Sequence, residues 1–284
     1  MIVDAFPFFN ELDLLEIRLH EIGDLVDVFV VGEATTTFSG HQKPMYLSDN
    51  LDRFEAYREK IFICRIDETP AGTPFEAEWF QRNYLRDAIL SLASPTDILI
   101  FSDVDEIPRR EVIENLLATE GEWDFVHLAQ DMSYYYVNLR KVGGKLLSVT
   151  GEFPGVREPK WLGTKVLKVS QLLNGEGLTL DDLRKRDRVP GSVRMDNGGW
   201  HFSFCGSPDD ADAAERAQAK IDAYAHQELN NWRTRLTLKR RISRGRDVFF
   251  RRGAKFSRVP LDDTFPHLIR EQPERFRHLV LDAE

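Results

Sequence analysis

Cysteine is scarce in this chain: Cys64 and Cys205 are the two among 284 residues, far apart and outside any CxxC or Cys/His cluster. That argues against a disulfide framework and against a structural zinc site. No Asn-X-Ser/Thr sequon occurs, and no apolar run approaches the roughly 18–20 residues that a membrane-spanning helix needs. The chain opens on a strand-like stretch, Ile2 to Phe9, with no basic leader or signal-peptide pattern, so a reducing cytoplasm is the expected setting. There is no GxGxxG after a strand, no P-loop, no HExxH and no GxSxG. Dinucleotide redox chemistry, P-loop phosphoryl transfer, zinc proteolysis and serine hydrolysis therefore lack their usual machinery. Internal repeats and low-complexity tracts are missing as well.

Charge is present but unevenly placed. The formal net charge is −9. From Arg233 to Arg258 eleven Lys/Arg face a single acid, Asp247, which puts +10 on that segment and leaves −19 on the remainder. A nucleic-acid partner is a poor fit for so acidic a chain. The basic segment reads as a solvated face or as a surface for an anionic partner, and peripheral membrane contact through 233–258, at the inner face, is one expectation.

What is there in quantity is an alternation of strands and helices. Ile2–Phe9, Val26–Val31, Lys60–Ile66 and Asp97–Phe101 read as buried strands. Between them, helical patterns follow Asn10 (apolar at Leu14, Leu15, Ile17, Leu19 and Ile22) and run from about Phe75 to Ala93. Pro108 is expected to open a further helix. This rhythm predicts an α/β fold with a largely parallel central sheet flanked by helices. Trp123–Asn138 reads as strand, 143–199 as irregular, and the chain after Phe204 as a C-terminal helical segment through about Ile242. The expected division is a catalytic unit over 1–205, split into 1–108 and 109–205, with 206–284 as a helical extension.

One stretch stands apart. Ile98–Phe101 ends at once in Ser-Asp103-Val-Asp105-Glu106. Ligands of open α/β sheets sit at the carboxyl ends of strands. Crowded carboxylates there repel one another unless a cation shares them. A hard divalent ion, Mn²⁺ or Mg²⁺, completed by phosphate oxygens is the expected answer. Haloacid-dehalogenase-type phosphatases place Asp-X-Asp after a strand, but after the first one; GT-A nucleotide-sugar transferases place it after an internal strand, as here.

The long block Glu11-Leu-Asp-Leu-Leu-Glu-Ile-Arg-Leu-His-Glu-Ile-Gly-Asp-Leu-Val-Asp27, with Phe29-Val-Val31 and Glu33, resembles glycosyltransferase family 17. So do Lys43-Pro44, Asp103-Val-Asp105-Glu106-Ile-Pro108, Gly199-Trp200-His201 with Ser203, and Arg275-Phe276. The match is looser over about 140–195. This resemblance implies a GT-A fold, UDP-GlcNAc as the UDP-sugar donor and an inverting reaction; with no export signal in view, the expected acceptor is a saccharide or lipid-linked glycan. Animal members are Golgi-anchored, so a bisected N-glycan product does not carry over with the resemblance.

Roles follow from that chemistry. Asp103 and Asp105 would hold the metal, with His201 as third ligand; Asp103 would thereby also contact the donor. Glu106 would orient the site. Glu33, Lys43, Arg82 and Trp200 are the other expected donor-binding residues, although Trp200 would equally fill core. The catalytic base is expected to be Asp181, with Asp131 and Glu152 as rivals. Two other readings remain open at this point: a phosphatase using Asp103 and Asp105, and a non-catalytic saccharide-binding protein on a transferase fold.

Overall fold

The computed structural model describes residues 1–153, 155–173, 178–206, 211–248, 250 and 254–282. The chain begins β1 (Ile2–Phe8), α1 (Leu12–Ile22), β2 (Val28–Ala34), β3 (Ile61–Ile66), α2 (Pro74–Leu92) and β4 (Ile98–Phe101). These four strands are parallel, with β1 between β2 and β4 and β3 outside β2. Strand alternation divides their apolar side chains between two layers. Phe6, Phe29 and Val31 meet Leu15, Leu19 and Ile22 of α1 on one face. Val3, Ala5 and Val30 meet Leu85 and Ile89 of α2 on the other. Every residue of β4 is buried, as its unbroken apolar run requires.

After β4 come β5 (Glu106–Pro108), α3 (Arg110–Ala118), β6 (Phe125–Leu128), β7 (Gln130–Tyr134), β8 (Leu139–Gly143), β9 (Leu147–Ser148) and β10 (Gly151–Glu152). Then follow β11 (Lys160–Leu162), β12 (Lys165–Lys168), α4 (Leu180–Lys185), β13 (Val193–Met195) and β14 (Gly199–Ser203). The chain closes through α5 (Ala213–Ala223), α6 (Trp232–Ile242), β15 (Lys255–Arg258) and α7 (His267–Glu271). β12 inserts antiparallel between β4 and β6, which extends the first sheet to the order β13-β6-β12-β4-β1-β2-β3. A second, mixed sheet runs β10-β9-β11-β7-β14-β5, with β8 on β7 and β15 on β8.

Several details differ from the sequence reading. Asn10 does not cap α1; Glu11 stands at that position, and its carboxylate accepts from the backbone N–H groups of Phe9 and Asn10. Pro108 ends β5, and α3 starts two residues later at Arg110. The expected helix near Phe75 starts at Pro74, where Thr73 and Glu76 form a reciprocal capping box,. The irregular 143–199 stretch holds five short strands and α4. The C-terminal segment expected as helical also supplies β15, paired antiparallel to β8.

Candidate functional site

The Asp103–Glu106 turn is fixed from beneath by a buried ion pair. Arg18 of α1 binds Asp4 of β1 through both Nε (2.7 Å) and a terminal nitrogen (2.5 Å). The same guanidinium donates to the carbonyls of Asp103 (3.1 Å) and Glu106 (2.9 Å) and to the Ser102 hydroxyl (2.8 Å). Both side chains of the pair are fully buried. A planar five-donor group is needed to satisfy so many acceptors at once.

Above this base, the acids are partnered one by one. Asp103 accepts from Arg82 of α2 at 3.2 Å on each oxygen and from Arg184 of α4 at 2.7 Å. Arg184 also forks onto Glu106 at 2.9 and 2.6 Å. Trp161 Nε1 donates to that same carboxylate at 2.7 Å. Gly163 makes this possible, because a Cβ there would lie 2.1 Å from Trp161 Nε1 and 2.2 Å from Glu106 Oε1. Asp105 accepts from Lys220 of α5 at 2.6 Å, with His201 Nε2 3.7 Å away. Burial works to raise both aspartates. The positive charge of Arg184 and Arg82 outweighs it at Asp103, and Lys220 with His201 holds Asp105 far below the usual carboxylate range.

These groups open into a cleft at the carboxyl ends of β1, β2 and β4. Its walls include Phe9, Lys43, Gln81, Arg82, Asp105 and Lys220. Lys43 stands between the Phe9 and Tyr46 rings, and burial lowers its pKa.

The structure thus brings Asp103, Asp105, Lys43 and Arg82 together on one cleft, with His201 just behind Asp105. Glu33 is fully buried at the end of β2, where its carboxylate accepts from the Leu47 and Ser48 N–H groups and the Ser48 hydroxyl. Trp200 is in the core, its Nε1 on the Thr264 carbonyl and its ring under Arg109. Asp181 is buried in α4, paired with Arg82 and Lys185. Asp131 pairs with Lys160 and Arg140, and Glu152 with Lys145. None of these last five residues lines the cleft.

Sequence reasoning missed Arg18, Arg184 and Lys220. Arg184 stands three residues after Asp181, the expected base, in Leu180-Asp181-Asp182-Leu183-Arg184, so the neighbourhood did carry a signal. Lys220 is one more lysine on a C-terminal helix, and nothing local marks it.

Fit to a divalent ion is mixed in one specific way. Two carboxylates and an imidazole are the right donors, and His201 Nδ1 is buried without a hydrogen-bond partner. Yet Lys220 occupies the Asp105 oxygen nearest His201. Among the described residues, no group of three His, Cys, Asp or Glu stands close enough together to hold a metal. The donor types therefore suit such an ion, but among the described residues they are not gathered closely enough to hold one as they stand.

A parallel β3-β2-β1-β4 half, an acidic turn after β4 and a mixed half beyond it together make a GT-A-type α/β fold. Residues 1–140 match the model of glycosyltransferase family 17, so the resemblance drawn from Glu11–Asp27 extends through the Asp103–Glu106 turn. The human β-1,4-mannosyl-glycoprotein 4-β-N-acetylglucosaminyltransferase is 28% identical over 225 residues, covering 73% of this chain and 41% of its own length. The mouse protein of the same name is 27% identical over the same extent. The chain spans about two fifths of the length of these curated relatives. Among solved structures, a fragment of S. aureus TarS overlaps 98% of this chain and 83% of its own at 15% identity, with a TM-score of 0.40. Glucosyl-3-phosphoglycerate synthase from Mycobacterium tuberculosis, in complex with Mn²⁺, UDP and phosphoglyceric acid, overlaps 72% of this chain and 69% of its own at 16% identity, TM-score 0.38.

Proposed function

We propose that this chain is a glycosyltransferase that moves GlcNAc from UDP-GlcNAc to a saccharide hydroxyl with inversion. The observation that carries the reading is the pair Asp103 and Asp105 at the carboxyl end of β4, facing a cleft ringed by Lys43, Arg82 and Lys220. A pyrophosphate needs positive charge in a partly desolvated place, and the leaving UDP needs more as the bond breaks. Lys43 and Lys220 are set to supply it directly. Arg82, held by Asp103, Glu78 and Asp181, keeps a fixed orientation.

A Mn²⁺ or Mg²⁺ ion arriving with the donor would be held by Asp103, Asp105 and His201, and would neutralise the diphosphate as a Lewis acid. Lys220 would then have to release Asp105, on which it rests at 2.6 Å, and its ammonium would be free to bind the phosphates. Glu106, its carboxylate taken up by Arg184 and Trp161, positions the turn and would not be a ligand of that ion.

For the base, Asp181 acts on the site through Arg82. Glu78 lines the cleft with part of its side chain open, and unlike Asp103 it is not one of the expected metal ligands, so Glu78→Gln is the variant to set beside Asp181→Asn. Residues 1–205 and 206–284 work as one unit in this reading, because Lys220 comes from the latter. Asp103, held from both sides by Arg82 and Arg184, is poorly placed to be a phosphatase nucleophile.

The test is calorimetric titration of UDP-GlcNAc into wild type and Asp105→Ala, with and without Mn²⁺. Metal-dependent binding that is lost in the variant supports the reading, and absence of binding in wild type overturns it.

A further inference from the structure

Helix α6 carries the two most exposed large apolar side chains on the molecule's described surface. Trp232 is 75% exposed and Leu236 is 77% exposed. They are four residues apart, hence on one face. The opposite face, Thr234, Leu238 and Ile242, is buried against the body, where Leu238 and Ile242 join Ala217 and Ile221 of α5. The outward stripe is therefore not the packing face of a loosely placed helix; it is a second apolar face turned to solvent.

The flanks of this stripe are basic. Arg233, Arg235, Lys239 and Arg240 are exposed along α6, and Arg244 follows its end. The helix contains no acid. Arg235 is paired to Asp222 and Lys239 to Asp212, both on or beside α5. Among the described residues Arg233, Arg240 and Arg244 have no ion-pair partner, and Arg233 lies over the Phe250 ring. An apolar ridge of Trp and Leu between rows of Arg and Lys is the arrangement of a helix that lies in a bilayer interface. The uncovered positive charge selects an anionic surface.

We propose that α6 docks this protein onto an anionic lipid bilayer, with Trp232 and Leu236 entering the headgroup–acyl boundary and Arg233, Arg240 and Arg244 binding lipid phosphates. No helix among the described residues is long and apolar enough to cross a membrane, so the contact is peripheral. Since α6 packs on α5, which carries Lys220, docking also brings the cleft close to the bilayer. The proposal stands or falls apart from the glycosyltransferase reading, because its test measures no turnover.

The experiment is co-sedimentation of the full chain with vesicles of phosphatidylcholine alone and of phosphatidylcholine mixed with phosphatidylglycerol. Wild type is expected on the mixed vesicles only, and release by salt should follow. The double variant Trp232→Ser, Leu236→Ser should lose at least about tenfold in bound-to-free ratio. Arg240→Glu should lose about fivefold or more. Because all three side chains are exposed, unchanged thermal unfolding is expected and verifies that the variants fold. Failure of wild type to bind the mixed vesicles at low salt overturns the proposal, as does retention by the double variant. A wild-type dimer that the double variant converts to monomer, seen by light scattering without vesicles, assigns the ridge to a second copy of the chain and equally overturns it.

Discussion

The two halves of this molecule are held together differently. In the first, β1 pairs with β2 and β2 with β3, the next strand along the chain each time, β4 returns to lie against β1, and one apolar layer on each face covers these parallel strands. In the second, β14 pairs with β7, β15 with β8, and β12 returns to lie against β4. Acid turn and cleft lie where the two meet: Arg82 and Asp103 come from the first half, Arg184, His201 and Lys220 from the second. The first half sets where the carboxylates stand. The second adds Arg184 and Lys220 to the first half's own Arg82 as the cations that neutralise them.

The largest expected effect comes from breaking the first half at its centre. Arg18→Met strands Asp4 as an unpaired buried carboxylate and removes the donors beneath the Asp103 turn. A loss of about 3–5 kcal/mol in urea unfolding is expected; a loss below that range would mean the turn is held chiefly from the second half. Gly163→Ala is the matching cut in the second half. Its Cβ overlaps Trp161 and Glu106, so unfolding should cost about 2 kcal/mol, with donor affinity falling further than stability does.

Lys220→Met tests the junction itself. Removing the ammonium from Asp105 should let donor-free protein bind Mn²⁺ about tenfold more tightly, equivalent to about 1.4 kcal/mol, as read by electron paramagnetic resonance of the free ion. Equal affinities would show that Lys220 does not compete for the site.

The smallest effect concerns pH. Burial, and then the charge of Lys165, lowers the His127 pKa to about 4. In the unfolded chain this imidazole titrates near 6.5, so the unfolded state takes up the proton first as the solution is acidified. The contribution to stability is whole above about pH 6.5 and is lost as pH falls toward 4. His127→Gln should flatten the Tm profile in that window by a few degrees, and parallel profiles would refute the assignment.

Much of this was readable from residues alone. The apolar run Ile98–Phe101 and the three acids after it marked the turn that borders the cleft, because a doubly covered strand leaves a plain mark and strand ends of an open sheet face its crevice,. The reasoning about charge was half complete. Crowded acids do require cations, but arginines and a lysine from α2, α4 and α5 provide them in this structure. Glu33 shows the reverse case: an acid at a strand end whose acceptors are filled by the next loop's backbone. For Trp200 the sequence left donor contact and core filling equally open, and its ring is in the core.

What the sequence by itself determined was the layer structure of the first half and the position of its acidic turn. Both follow from local periodicity, which the chain carries within a few residues. Tertiary structure alone decided that Lys220, some 115 residues beyond Asp105, would sit on that carboxylate, and that Trp232 and Leu236 would face outward. Such outcomes depend on which of two faces of a helix the body covers, and a helix with apolar residues on both sides leaves that choice to packing.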